Sequence, residues 1–350
     1  MSDTPLFVTV DTEGDDLWSR PREITTRNAR LLPRFQRLCE RYRFKPVYLT
    51  NYEMAMAGEF VEFGRAVLAR DAGEIGMHLH AWNSPPLVDL TGDDFRHQPY
   101  LIEYPLSLMR EKIRHMTRLL EDRFERTIVS HRAGRWGFDG RYAALLAEEG
   151  YRVDCSVTPG VSWRTNLGDP NGRGGPDYTA FPAEPYVFDP ADIARPAAGL
   201  LLEVPVTIVP ARLYRVAPLL YRVPLLRRWL NRAAPALGWL CPIQPSLRAP
   251  LARNLDAMLA VARALRAERP PHVHFMLHSS ELMPGGSPHV RSAADLDRLY
   301  DALGTLFDEL AHWCRGMTLR QFYAQRAAAQ PQPASAEPCP HPCANAPSAC

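Results

Sequence analysis

The chain alternates short apolar runs with longer stretches in which apolar residues recur at helical spacing. Phe7-Val8-Thr9-Val10 is a β-prone run that stops at Asp11-Thr12-Glu13-Gly14-Asp15, the form of a buried strand ending in polar residues. Residues 28–42 carry Leu31, Leu32, Phe35 and Leu38 between basic side chains, as an amphipathic surface helix does. The same reading predicts strands over 45–50, 73–80, 127–132, 151–156, 200–206 and 273–278. Between them it predicts helices over 59–69, 105–124, 139–149, 251–267 and 292–314, with Gly150 closing the third and 317–323 ending the domain. Strand followed by helix, with polar residues at one strand end after another, predicts a parallel α/β sheet or barrel.

Two regions break the period. Gly, Pro and Asp dominate 157–196, where a long loop on the substrate side is expected. Residues 211–250 are basic and apolar, and Pro218, Pro224 and Pro235 divide any helix there into short pieces. From Ala327 the chain is mostly Ala, Pro, Ser and Gln, so a disordered tail is expected over 327–350. The folded domain is therefore placed at 1–326, with 211–250 as a basic, Pro-rich insert.

Composition narrows the class. With 350 residues, 46% hydrophobic and 23% charged, there is enough apolar content for one large α/β core. A net charge of +2 gives no overall attraction to nucleic acid. No basic n-region precedes the first apolar run, and no stretch reaches the roughly 20 apolar residues of a membrane span, so a cytoplasmic protein is expected. The basic residues of 212–240, with Trp229 and Trp239, allow peripheral contact at the inner membrane face; the competing reading is a proline-broken lid with solvated arginines. Cys39, Cys155, Cys241 and Cys314 read as reduced, buried thiols. Cys339, Cys343, Cys350 and His341 sit in a tail without the apolar residues to fold around a metal.

The strand ends collect Asp11 and Glu13, His78 and His80, His131 and Arg132, Asp154, and His278. In a barrel these converge on one mouth. His78 and His80 are two apart and share a face on a strand. Two imidazoles and one carboxylate are a standard set for a catalytic divalent ion that keeps an open position. An isolated His-x-His is more often a pair of satisfied polar residues. The carboxylates, Arg132 and His278 together outweigh that reading.

Five segments, in order, resemble the motifs of the polysaccharide deacetylases with a NodB-homology domain, carbohydrate esterase family 4. Val10-Asp11-Thr12-Glu13 stands where that family has its aspartate-rich first motif. Glu74-Ile75-Gly76-Met77-His78-Leu79-His80 resembles its metal-histidine segment, and Ser130-His131-Arg132-Ala133-Gly134 its arginine motif. Gly150-Tyr151-Arg152-Val153-Asp154-Cys155-Ser156 is similar to its G-Y-x-x-D-S-S segment, and Leu277-His278-Ser279-Ser280-Glu281 to its final L-H-x-x-E. There are departures. The two acids of the first motif are spaced rather than adjacent. Trp82 stands four after His78, where the family has its second histidine, which leaves His80 as the second ligand. Arg135 and Trp136 replace prolines after the arginine motif.

The resemblance implies a distorted parallel (β/α) barrel of about seven strands that removes an N-acetyl or other N-acyl group from an amino sugar. It implies Asp11 as general base and Glu13, His78 and His80 as metal ligands, with the two acids open to exchange of roles. His278 protonates the leaving amine, Arg132 aims Asp11, and Asp154 orients Arg132 or His278. A backbone N–H near Arg135 faces the oxyanion. The implied ion is Zn2+, with Co2+, Ni2+ or Mn2+ also suited. Trp82, Trp136 and Trp163 offer flat surfaces to sugar rings. The expected substrate is a glycan, or a lipid- or nucleotide-linked sugar of surface polysaccharide synthesis, with no nucleic acid and no obligate protein partner. Two other readings stand beside it: an amidohydrolase of this fold acting on a cyclic amide or ureide, and a catalytically silent carbohydrate-binding barrel.

Overall fold

β1 (Thr4–Thr12) is the strand on which the sheet is assembled, with β2 (Pro46–Thr50) on one side and β8 (Val273–His278) on the other. The structure is a computed structural model that describes residues 4–168, 174–208 and 255–329. The remaining strands are β3 (Glu74–Leu79), β4 (Ser130–Ala133), β5 (Val153–Asp154), β6 (Tyr186–Phe188), β7 (Leu201–Glu203) and β9 (Cys314–Gly316). They form one curled sheet in the order β6-β7-β5-β4-β3-β2-β1-β8, with β9 also pairing to β1. Every pairing is parallel except that of β6 with β7.

The period of two along each strand sorts side chains between two cores. Leu6, Val8 and Val10 of β1, Ile75, Met77 and Leu79 of β3, and Val273, Phe275 and Leu277 of β8 face the outer helices. Phe7 of β1, Val47 and Leu49 of β2, and Val153 of β5 turn into the concave side with Leu202 and Val204. Higher up the concave side stand Thr9, Asp11, His78, Arg132, His274 and His278, on the same parity. A sheet covered on both faces needs both sets.

The helices are α1 (Leu32–Arg41), α2 (Tyr52–Met56), α3 (Gly58–Ala69), α4 (Asp94–His97), α5 (Leu106–Phe124), α6 (Gly140–Glu148), α7 (Leu255–Glu268), α8 (Ala293–Ala311) and α9 (Leu319–Ala329). In α5, Met109, Ile113, Met116 and Leu120 form one stripe and are all fully buried, each contributing about 1.5–3 kcal/mol relative to exposure. Asp139 caps α6 by accepting from the Tyr142 N–H at 2.9 Å, and Ser292 caps α8 by accepting from the Asp295 N–H at 3.1 Å. α9 plugs the lower end of the curl, its Phe322 ring 5.0 Å from that of Phe7 in an edge contact.

Three expectations change. Among the described residues the sheet has nine strands and does not close into a barrel, because β6 and β8 end the path unpaired with each other. The loop expected over 157–196 contains β6, whose three residues lie between Pro185 and Pro190 and pair Val187 with Leu202. β5 is two residues long, shorter than the strand expected over 151–156, and the Ser156 N–H bonds the Asp154 carboxylate rather than a neighbouring strand. The insert 211–250, the membrane contact expected over 212–240, and the tail beyond Ala329 lie outside the described residues. None of the described helices is long and apolar enough to cross a membrane.

Candidate metal centre

Glu13 follows β1 by one residue and its backbone is pinned from two sides. Ser279 accepts from the Glu13 N–H and donates to its carbonyl, both at 3.0 Å, and Asn28 Nδ2 donates to the same carbonyl at 2.9 Å. Asp15, two residues further on, caps the next helix. Its carboxylate accepts from the backbone N–H groups of Arg27 and Asn28, both at 3.0 Å, at the start of the short helix Arg27–Leu31. Asp11 and Glu13 are thereby left to face the concave side.

β3 delivers the histidines. His78 and His80 are buried with ring centroids 4.7 Å apart. His78 Nδ1 donates to the Arg132 carbonyl at 3.0 Å, which fixes the tautomer and leaves Nε2 as a lone pair. The Nε2 atoms of His78 and His80 lie 3.7 and 3.5 Å from one Glu13 oxygen. Burial lowers the pKa of both imidazoles, and the Arg132 guanidinium adds to the fall at His78. They are therefore neutral, and these contacts are neither ion pairs nor hydrogen bonds, which fall at about 2.7–3.2 Å. Burial raises the Glu13 pKa to about 8, with Asp11 and Glu53 adding to the rise. One carboxyl group and two neutral imidazole nitrogens converge on one point, the donor set of a divalent cation. Two ligands about 2.1 Å from a shared tetrahedral ion stand about 3.4 Å apart, close to what is seen here. The three ligand atoms all lie within 4.8 Å of one another, so the set fits a divalent ion.

Asp11 stands beside this set in a different electrostatic state. Burial alone raises a carboxyl pKa, but the charge and hydrogen bond of Arg132 outweigh it and hold Asp11 well below the usual carboxylate range. Arg132 is fully buried and spends its donors on Asp11 (Nη1, 2.5 Å), Thr9 (Nη2, 2.9 Å), His274 (Nη2, 3.0 Å) and the Cys155 carbonyl (Nε, 3.1 Å). His278 Nε2 is 3.9 Å from an oxygen of each acid, and its Nδ1 is 3.3 Å from Glu281. Asp154 is elsewhere. It sits fully buried behind the sheet mouth, with His131 Nδ1 at 2.6 Å and Ser156 Oγ at 2.9 Å, and it hydrogen-bonds neither Arg132 nor His278. It therefore makes no hydrogen bond to either group it was expected to orient; its partner His131 is held in turn by the Tyr142 hydroxyl at 2.8 Å.

Several contributors escaped the sequence reading. Glu53 on α2 accepts from the Gly14 N–H at 3.0 Å and from the side chains of Asn51 and Asn83, both at 2.5 Å, tying the acidic loop to the loop after β3. His274 lies mid-strand, where a histidine reads as an interruption of an apolar run. Trp82, in the position of the missing histidine, stacks on His80 at 5.2 Å and on Phe95 at 3.7 Å. Gly134 leaves room for this packing, since a Cβ there would meet His80 Cδ2 at 2.3 Å. Arg135 and Trp136 follow with left-handed backbones at φ 54° and 63°, a strained pair held by the Trp136 carbonyl accepting from Tyr178 at 2.5 Å. A cavity of about 360 Å3 opens over the set; Trp82, Trp136 and Trp163 line it, with Trp18, Phe95 and Tyr100.

No protein-family model and no curated protein matches the sequence. Solved structures do. A Mycobacterium smegmatis protein assigned as a polysaccharide deacetylase aligns over 97% of this chain and 96% of its own, at 14% identity and a TM-score of 0.53. The fold is that of the polysaccharide deacetylases. A GH57 branching enzyme from Thermococcus kodakaraensis aligns over 92% of this chain and 71% of its own, at 9% identity and a TM-score of 0.50. The CE4 domain of a xylanase from a Trinervitermes trinervoides hindgut metagenome aligns at 8% identity, over 93% and 92%, with a TM-score of 0.41. Since one fold serves both deacetylase and branching enzyme, the chemistry of this chain rests on its site.

Proposed function

We propose that the chain is a metal-dependent hydrolase that removes an N-acetyl or related N-acyl group from an amino sugar of a glycan or of a lipid-linked intermediate. The observation that carries this reading is the Glu13–His78–His80 set at the floor of an aromatic cavity, with Asp11 and His278 beside it. A divalent ion held there, by ligand chemistry best matched to Zn2+, supplies Lewis acidity for water and for the amide carbonyl. Asp11, kept ionised and aimed by Arg132, accepts the proton of the attacking water. Amines leave poorly unless protonated, and His278, held by Glu281 on one nitrogen, presents the other to donate that proton. The N–H groups of the Arg135–Trp136 turn are the backbone donors for the developing oxyanion. Glycosyl transfer fits less well: a glycosidase needs two carboxylates flanking one bond, and here the arginine occupies one and the imidazoles face the other. The flat aromatic walls favour a sugar over a cyclic amide or ureide.

Metal content and turnover test this together. His78→Ala and His80→Ala lose the ion, whereas Asp11→Asn retains it and releases acetate from N-acetylated chito-oligosaccharides about 10²–10⁴ times more slowly than wild type. Full metal occupancy in both histidine variants would remove the site.

A further inference from the structure

Once the metal centre is accounted for, the cavity wall still holds charge. Of its two carboxyl groups, Asp11 pairs with Arg132 and Glu13 belongs to the ligand set. The same wall presents two guanidiniums, Arg20 and Arg135. Among the described residues neither makes an ion pair with a carboxylate. Arg135 lies over the Tyr100 ring at 5.3 Å and Arg20 over the Phe95 ring at 5.8 Å. Arg135 is half-buried, and its pKa falls through burial and, after an opposing effect of Tyr100, through repulsion from Arg20, which outweighs the nearby Glu103. It is close enough to His80 to depress that imidazole as well. A strained left-handed turn fixes its position. The half-buried Arg135 and the exposed Arg20 at the rim line one cavity and repel each other, and an anion between them relieves that repulsion.

We propose that Arg135 and Arg20 form an anion subsite, so that the substrate carries a carboxylate or a phosphate on the acylated sugar or on its immediate neighbour. Where the amide lies relative to that anion rests on the deacetylase reading; the anion preference itself is a statement about binding. Guanidinium forks match both carboxylate and phosphate oxygens, and the aromatic rings beneath them hold the sugar between the subsite and the metal ligands.

The tryptophans of the cavity make binding visible by intrinsic fluorescence. The full-chain protein, Zn2+-loaded and metal-free, is titrated with N-acetylglucosamine, its 1-phosphate and its uronic acid. Expected is at least about tenfold tighter binding of one or both anionic sugars in both metal states. That ratio falls towards one in Arg135→Gln and in Arg20→Gln, and it partly recovers in Arg135→Lys; thermal unfolding identifies any variant that has not folded, and Arg20→Gln at the exposed rim then carries the test. Preference for the phosphate alone identifies a phosphate-linked sugar, and preference for the uronic acid alone an acidic glycan. The proposal is overturned if no sugar binds, if neutral and anionic sugars bind alike, if the preference vanishes with the metal, or if the variants leave the ratio unchanged. Acetate release measured alongside separates the two readings: preference without turnover keeps the subsite and removes the deacetylase, and turnover without preference does the reverse.

Discussion

Two acids two residues apart on one strand end in opposite protonation states because their neighbours differ. Asp11 meets a fully buried guanidinium and stays ionised; Glu13 meets neutral imidazoles and holds its proton to about pH 8. The sign of the resulting pH dependence follows. Between the ordinary carboxyl value of 4.5 and about 8, the unfolded chain has released the Glu13 proton while the folded apo-protein keeps it. Stability of the apo-protein from this group therefore falls as pH rises through that window. Binding an ion reverses the balance: below about pH 8 it expels one proton, and the apparent affinity drops about tenfold per unit of falling pH. Zn2+ titration calorimetry in buffers of different ionisation enthalpy reads that proton, and Glu13→Gln abolishes both effects. An affinity independent of pH, with no proton released, would put Glu13 outside the ion's shell.

At the scale of elements, the site depends on how the loop after β3 is held. That loop carries Trp82 against His80 and Asn83 against Glu53. Its anchor is Lys112 on α5, almost wholly buried, whose ammonium donates to the carbonyls of Ser84 at 2.6 Å and Pro86 at 2.8 Å. Replacing it by Met keeps the apolar stem but leaves the buried Ser84 carbonyl and the partly buried Pro86 carbonyl unpaired, a loss of about 1–3 kcal/mol in chemical unfolding. Amide hydrogen exchange at residues 81–84 rises in the same variant. Unchanged protection there would mean that the loop is held without Lys112. The sequence hides this link, since a lysine among the polar positions of an amphipathic helix reads as solvated.

At the scale of the molecule, an open sheet keeps a mouth and a floor by filling its concave side. The lower layer is Phe7, Val47, Leu49, Val153, Leu202 and Val204, closed by Leu319 and Phe322 of α9. Above it the Thr9–Arg132–His274 layer is polar but fully bonded, and only then come the groups that face the cavity. Phe322→Ala opens a void in that floor and costs about 3–5 kcal/mol, seen as a lower denaturation midpoint. A loss well under 1 kcal/mol would show that α9 is not the plug.

By itself the sequence determined the strand–helix period, the parity that puts Asp11 and Glu13, and His78 and His80, on single faces, and the arrival of polar groups at strand ends. These are local properties, carried by spacings of two and by apolar periodicity. The tertiary structure decided what spacing cannot express. It decided that Asp15 rather than its neighbours caps a helix, and that Asp154 belongs to His131. It showed that the sheet remains open among the described residues. It also decided that Arg135, on a turn no propensity predicts, shares a cavity with Arg20 more than a hundred residues away. Partnership between distant charges depends on which atoms the curl of the sheet brings within a few ångströms, and that distance is written nowhere in the order of residues.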